Sequence, residues 1–379
     1  MKRFLCFLLL FSTIFTVRAH AEGPAAGPAG VSAPSALLME KRTGEVLCEK
    51  DSHRHYAPAS VTKIMTMLLI AEDIEAGKLK PEDIVTASAR AASFGGSCVY
   101  LAEGEQMSVD EMLKCIAVVS ANDCAVAMAE HISGSEAVFV ERMNRRAGEL
   151  GMEDTHFTNC TGLFDDSNHY SSAYDVALMS RELLRHEFIK DYTTIWMDSI
   201  RGGEFGLSST NRLVYSYPGC TGLKTGYTDK AKYCISATAE RDGVEYIAVV
   251  MHSDSAEARN SNAAALLDYG FANYSLCPLR PDEPLPPVRV ELGKKKEVKT
   301  LCGGPEYTVT EKTGGSAEYT VNMEESVAAP VRAGDRLGTL SVRSGDRLLA
   351  SVPILAGEDV PRIGYLGILG LLGGSIIGL

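Results

Sequence analysis

The stretch from Ala57 to Ile70 constrains this chain more than any other. Pro58 near its start marks a helix beginning, since proline lacks only an N–H that the first turn leaves unpaired anyway. Val61, Ile64, Met65, Leu68 and Leu69 recur at helical spacing, and Met67 and Ile70 add apolar surface on other sides. The spacing predicts an α-helix buried on most of its circumference, so a core has to be built around it. At its N-terminal end Ser60 and Lys63 stand three residues apart, neighbours on one face. A lysine in such surroundings is partly desolvated, which lowers its pKa and leaves an amine able to accept a proton. A serine beside that amine, at the positive end of a helix dipole, is a candidate activated nucleophile.

A core of this kind is affordable. The chain has 379 residues, of which 45% are hydrophobic, and its length makes two domains the expectation. Residues 1–21 stand apart. Lys2 and Arg3 precede an apolar run from Phe4 to Val17, and Ala19-His20-Ala21 offers small residues for cleavage, the pattern of a secretory signal peptide. Its removal takes away Lys2, Arg3 and Arg18, so the net charge of −12 becomes −15. A chain this acidic argues against a nucleic-acid partner. Nine cysteines remain after Cys6 is removed. An odd number leaves at least one free thiol, and neither a disulfide framework nor a zinc-type spacing is visible. No cofactor or metal is expected.

Residues 22–33 read as a Gly/Pro/Ala linker. Ala36 to Glu40 and Val46 to Glu49 form a predicted β-hairpin, followed by the Ser60 helix. From 81 to 185 the pattern is mostly helical. Ser108-Val109-Asp110-Glu111 is a capping box opening a helix to about Val119. Further helices are expected from about Asp123 through Ile132, from Glu136 to Leu150, and after Ala173 to about Leu184. Gly222 to Tyr227, Tyr233 to Glu240 and Val244 to His252 then read as three consecutive antiparallel strands, and Ser261 to Phe271 as a closing helix. The order strands, helices, strands, helix predicts an α/β domain over 34–275: an antiparallel sheet flanked by helices, with an inserted helical subdomain. Residues 276–287 are a Pro-rich linker, 288–360 a small all-β domain, and 361–379 an apolar segment.

Ser-x-x-Lys alone is weak evidence, since chance supplies such matches. Two more elements sharpen it: Ser120-Ala121-Asn122 at a junction of two predicted helices, and Lys224-Thr225-Gly226 in a predicted strand. Each has a bland reading. Ser120 to Asp123 also fits a capping box, and Ser209-Thr210-Asn211 and Lys312-Thr313-Gly314 show how common such triplets are. The three elements in this order are the recognised signature of β-lactamases and penicillin-binding proteins. With the residues around them, Ala59 to Thr66, Ser120 to Asp123, Gly148 to Gly162, Tyr170 to Ala173 and Gly222 to Thr228, the chain resembles the serine-type D-Ala-D-Ala carboxypeptidases, the low-molecular-weight penicillin-binding proteins.

The resemblance implies a β-lactamase/transpeptidase-like fold and removal of the terminal D-alanine from a peptidoglycan stem peptide, with β-lactam antibiotics as covalent inhibitors. It implies Ser60 as nucleophile, Lys63 as its base, helped to stay neutral by Lys224, and Ser120 as the bridge to the leaving nitrogen. Asn122, Lys224, Thr225, Gly226 and Tyr227 are expected to bind substrate. Gly226 lets the substrate lie along the strand edge, and the N–H groups of Ser60 and Tyr227 form an oxyanion hole. Arg212 and Arg259 fall where the family places arginines near the carboxylate. A D,D-endopeptidase with the same site is a close alternative. A class A-like β-lactamase fits less well, because no glutamate lies between Cys160 and Asp175 and the middle motif is Ser-Ala-Asn. A non-catalytic wall-binding protein would not need every motif residue. Finally, Ile363 to Leu379 carries no charge. Its seventeen residues reach about 25 Å as a helix, short of a ~30 Å hydrocarbon layer, so it is expected to associate with the membrane by dipping into one leaflet at the outer face.

Overall fold

The computed structural model describes residues 25–26, 28, 30–164, 166–314, 316–365 and 367–368. The expected signal peptide and most of the apolar C-terminal segment lie outside the described residues.

The catalytic-type domain is built on a six-stranded sheet. Its strands are β1 (Ala25–Ala26), β2 (Ser35–Glu40), β3 (Val46–Lys50), β4 (Cys220–Thr228), β5 (Lys232–Arg241) and β6 (Val244–Ser253), in the spatial order β1-β3-β2-β6-β5-β4. All neighbours are antiparallel except β1, which runs parallel to β3 with Ala25 opposite Cys48. Part of the stretch expected as a linker is therefore a sheet edge, which a two-residue strand without alternation does not announce.

One face of the sheet packs on α1 (Lys63–Glu75), α2 (Val109–Val118), α3 (Asn122–Ser133), α4 (Glu136–Glu149) and α5 (Ala173–Leu183) in one apolar cluster; the other is covered by α6 (Ala256–Asn273). Every α1 residue from Lys63 to Ala71 is buried, and each large apolar side chain there contributes roughly 1.5–3 kcal/mol. The capping box at Ser108 forms as expected, its hydroxyl accepting from the Glu111 N–H. Helix α6 starts five residues before the expected Ser261. Ser255 caps it by accepting from the Ala258 N–H, and its polar first turn carries Arg259 but no apolar period to read.

The second domain is all-β. Strand Tyr274–Pro278 pairs with Tyr307–Glu311, and Cys277 and Leu279 lie in an apolar cluster with Leu340, Val342, Val352 and Ile354. The first residues of the expected Pro-rich linker thus belong to the β-domain's own core. A four-stranded sheet (Thr300–Cys302, Arg347–Ala356, Arg336–Ser344, Ala317–Met323) and a three-stranded sheet (Glu297–Val298, Val288–Glu291, Ser326–Ala328) complete it. The second Lys-Thr-Gly falls on a 3-10 turn, where the exposed Lys312 Nζ donates to the Phe271 carbonyl at 2.6 Å, tying the β-domain to α6. Among the described residues no helix is long and apolar enough to cross a membrane.

Candidate active site

Ser60 sits not in the α-helix proper but in a 3-10 turn, Ala59–Thr62, that leads into α1. The turn begins at Ala59 with φ +47°, a left-handed backbone costing a non-glycine residue roughly 1–2 kcal/mol. Two other segments hold it there. Gly162 packs so closely that a Cβ on it would stand 1.8 Å from the Ala59 carbonyl oxygen and 2.6 Å from Thr62 Oγ1. Gly226 of β4 packs on the other side, where a Cβ would stand 2.7 Å from the Pro58 oxygen and 3.0 Å from the Ser60 nitrogen. The expected role of Gly226, room for substrate along the strand, is therefore joined by another: it lets β4 reach the Ser60 turn.

Lys63 is fully buried, and its Nζ has three oxygen neighbours: Ser60 Oγ at 3.1 Å, Asn122 Oδ1 at 2.6 Å and the Thr161 carbonyl at 2.8 Å. Asn122 Nδ2 donates to the Gly95 carbonyl at 2.8 Å, which fixes its oxygen toward Lys63. A neutral amine has two N–H groups and one lone pair. Two of the three neighbours, an amide oxygen and a peptide carbonyl, can only accept. They take the two N–H groups, and the lone pair is left for the Ser60 hydroxyl proton. Burial pushes the Lys63 ammonium down to about 7, against a smaller opposing pull from Cys160, Cys98 and Asp123.

Lys63 is expected to be kept neutral by burial, with Lys224 as a second cation nearby. Burial comes first for Lys63, while Lys224 is itself held well below the usual lysine range by burial, by Lys63 and by Arg259. Both ends of the Asn122 carboxamide are engaged by protein, so it orients Lys63 while keeping one hydrogen-bonding position at each end for the ligand expected there.

Ser120 lies between α2 and α3 with φ +64°. It is not a cap: the residue preceding α3 is Ala121, with no side-chain bond, and the buried Ser120 Oγ has no partner among the described residues. Asp123, the supposed capping-box partner, instead accepts from the Val99 and Leu101 N–H groups, each at 3.1 Å. That pins the 95–101 loop behind Asn122.

On β4, Lys224 Nζ donates to the Thr225 carbonyl at 2.9 Å, and Thr225 Oγ1 to Thr210 Oγ1 at 2.8 Å. Thr210 belongs to the Ser209-Thr210-Asn211 triplet, and Asn211 in turn donates to the Gly222 carbonyl of β4 at 2.9 Å. Arg259 is buried beside Tyr233; burial lowers its guanidinium to about 10, with the Arg212 charge acting in the same direction. Arg212 is exposed. Among the described residues neither arginine makes an ion pair, so three cations converge with no carboxylate between them. Tyr227 is half-exposed, its hydroxyl donating to Asp229.

The loop that completes the site lies in the stretch from Gly148 to Gly162 that carries part of the resemblance, though no role in the site was expected of it. Asn159 Oδ1 accepts from the Thr161 and Gly162 N–H groups at 3.1 and 2.6 Å, an Asx-type turn that aims the Thr161 carbonyl at Lys63. His169 braces it. Its Nδ1 accepts from the Thr158 N–H at 3.0 Å, so Nε2 carries the proton and donates to Thr62 Oγ1 at 2.8 Å. Burial lowers His169 to about 4 and keeps it neutral. The Asn-x-x-Gly pattern of 159–162 was the available signal.

Comparison with known proteins agrees with this geometry. Residues 22–255 match the family described as D-alanyl-D-alanine carboxypeptidase, and residues 278–362 the one described as penicillin-binding protein 5, C-terminal domain. DacF, a D-alanyl-D-alanine carboxypeptidase of Bacillus subtilis (strain 168), is 42% identical over 379 residues, 97% of each chain. The crystal structure of penicillin-binding protein 5 from Haemophilus influenzae superposes with a TM-score of 0.79 at 28% identity, covering 89% of this chain and 100% of that one. Penicillin-binding protein D2 from Listeria monocytogenes, in its ampicillin-bound form, gives a TM-score of 0.59 at 30% identity over 64% of this chain and 99% of its own.

Proposed function

The chain belongs to the D-alanyl-D-alanine carboxypeptidase family, and from that premise we propose how its own residues carry out the reaction. Ser60 Oγ attacks the carbonyl between the two D-alanines as its proton passes to the Lys63 lone pair. The Oγ–C bond forms, the C–N bond breaks, and D-alanine leaves as the amine. Ser120 Oγ relays the proton to that nitrogen. Water then attacks the Ser60 ester with Lys63 taking its proton; the Oγ–C bond breaks, that proton returns to Ser60 Oγ, and the shortened peptide leaves as its carboxylate. The N–H groups of Ser60 and Tyr227 face the developing oxyanion, a placement supported by the approach of β4 to the turn at Gly226. Lys224, Thr225 and the field of Arg259 and Arg212 receive the terminal carboxylate. The substrate is the peptidoglycan stem peptide, and β-lactams acylate the same serine.

The observation that carries this reading is the Lys63 amine, buried, near-neutral and with only one neighbour able to give it a proton. Mass spectrometry after penicillin treatment is expected to find one adduct, on Ser60; an adduct elsewhere in active protein overturns the assignment. Ser120→Ala gives a second check. Its hydroxyl has no partner among the described residues, so removing it is expected to leave the melting temperature unchanged or slightly raised. D-alanine release should nevertheless fall on the order of 10²-fold. A fall in melting temperature with turnover intact would make Ser120 a structural residue.

The leader pattern and the peptidoglycan substrate support action outside the cytoplasm. The uncharged stretch 363–379 supports attachment to the outer face of the cytoplasmic membrane. Deleting it is expected to move the protein from the membrane fraction to the soluble one.

A further inference from the structure

We propose that the loop Gly293–Lys296 of the β-domain is an anionic-lipid docking surface, gripping phospholipid headgroups where the apolar C-terminal segment leaves the fold. The proposal rests on the reading that this segment enters a membrane.

The loop is bound to the root of that segment. Lys294 N–H donates to the Pro361 carbonyl and Ile363 N–H to the Leu292 carbonyl, each at 2.8 Å, and Gly293 bridges Arg362. Three consecutive lysines, Lys294, Lys295 and Lys296, are thereby held next to Arg362, all four exposed. Their acidic neighbours are few and partly engaged. Glu358 pairs with Lys295, Asp359 accepts from the Ala333 N–H, and Glu291 accepts from Ser326. Glu297 follows directly in sequence, and three residues after Lys296 comes a further cation, Lys299, which also acts on Glu358. Among the described residues Lys294, Lys296, Lys299 and Arg362 make no ion pair. The apolar parts fit an interface as well: Leu292 is 42% exposed and Tyr365 76% exposed beside these cations.

This patch runs against the charge of the molecule. A chain with net charge −12 is repelled by an anionic membrane, so a cationic loop at the tail's root sets which end faces the lipid. A single short apolar anchor binds only marginally, and a polybasic neighbour supplies the second signal that makes attachment stable. The loop belongs to the three-stranded sheet, whereas the β-domain reaches the catalytic domain through Tyr307 and Val309 of strand Tyr307–Glu311 and through Lys312. The lipid-facing and domain-facing surfaces therefore use different strands.

The test is sedimentation of the full chain with vesicles of phosphatidylcholine alone and of phosphatidylcholine mixed with phosphatidylglycerol. The doubly substituted chain, Lys294→Gln with Lys296→Gln, is expected to bind the phosphatidylglycerol vesicles about 30-fold more weakly than the parent. It should bind phosphatidylcholine vesicles equally, and release D-alanine from a soluble peptide at the parent rate. The parent's preference for phosphatidylglycerol should also shrink as salt is raised. Equal binding of parent and variant to the phosphatidylglycerol vesicles overturns the proposal. A chain ending at Arg362 reads the apolar segment separately: undiminished phosphatidylcholine binding there removes the tail reading while the lysine comparison still stands. A parent chain that binds neither vesicle overturns both.

Discussion

Replacing Lys63 with methionine is expected to slow acylation of Ser60 by about 10⁴-fold, the upper range for removal of a general base. The size follows from the surroundings of the amine. Asn122 Oδ1 at 2.6 Å and the Thr161 carbonyl at 2.8 Å fix two of its protons, and among the described residues the Lys63 amine is the one side chain hydrogen-bonded to Ser60 Oγ. The pH dependence separates this role from a packing role. Lys63 works as a base only when neutral, and burial brings its ammonium down to about 7. In the parent enzyme acylation by penicillin should therefore be level above neutral pH and fall tenfold per unit as pH drops below about 7. The methionine variant should show a low, flat rate across the same range. Methionine leaves the two oxygens unpaired, which costs about 1–3 kcal/mol each in a buried site. The comparison is accordingly made below the variant's melting transition. A parent profile whose acid limb lies near the ordinary lysine value would show that burial does not tune this amine.

The chemistry was legible where it resides in side chains, and less so where it resides in backbone. Ser60, Lys63, Ser120 and Lys224 announce themselves because hydroxyl and amine groups at set spacings are rare in combination. The α1 helix was legible because its apolar period is long. The Thr161 carbonyl has no such mark, since every residue carries one, and only the Asx turn of Asn159 aims it. Asn122 was read as a ligand for substrate because its partners, Gly95 and Lys63, come from segments 27 and 59 residues away. The capping-box reading of Ser120 failed for a related reason. Its alternative partner, Asp123, is drawn to the N–H groups of Val99 and Leu101 by a tertiary contact that outcompetes the local bond. The early start of α6 and the parallel edge strand β1 escaped because a polar helical turn and a two-residue strand have no periodicity to detect.

The same dependence on backbone makes two glycines more sensitive than most side chains near Ser60. Gly162→Ala would set a methyl group 1.8 Å from the Ala59 oxygen, well inside contact distance, at a φ of +72° that an L-residue adopts with strain. Neither atom is the end of a flexible chain, so the loop and the nucleophile turn have to part. The Thr161 carbonyl leaves Lys63 as they do, and the His169 bond to Thr62 is loosened. Loss of both activity and several degrees of melting temperature is expected, because the loop is part of the packing under the sheet. Gly226→Ala is milder in contact and sharper as a probe. Its methyl would meet the Pro58 oxygen at 2.7 Å and the Ser60 nitrogen at 3.0 Å, while β4 stays zipped to β5 through the register from Leu223 to Thr228. The strand should shift from the turn by a fraction of an ångström without unpairing. Displacement on that scale at a nucleophile and its oxyanion donors costs about 10²-fold, with little change in stability. The pair is therefore expected to split: acylation lost in both, melting temperature lowered mainly in Gly162→Ala. Parent-like acylation in Gly226→Ala would mean that the approach of β4 to the Ser60 turn is a packing contact rather than part of the machinery.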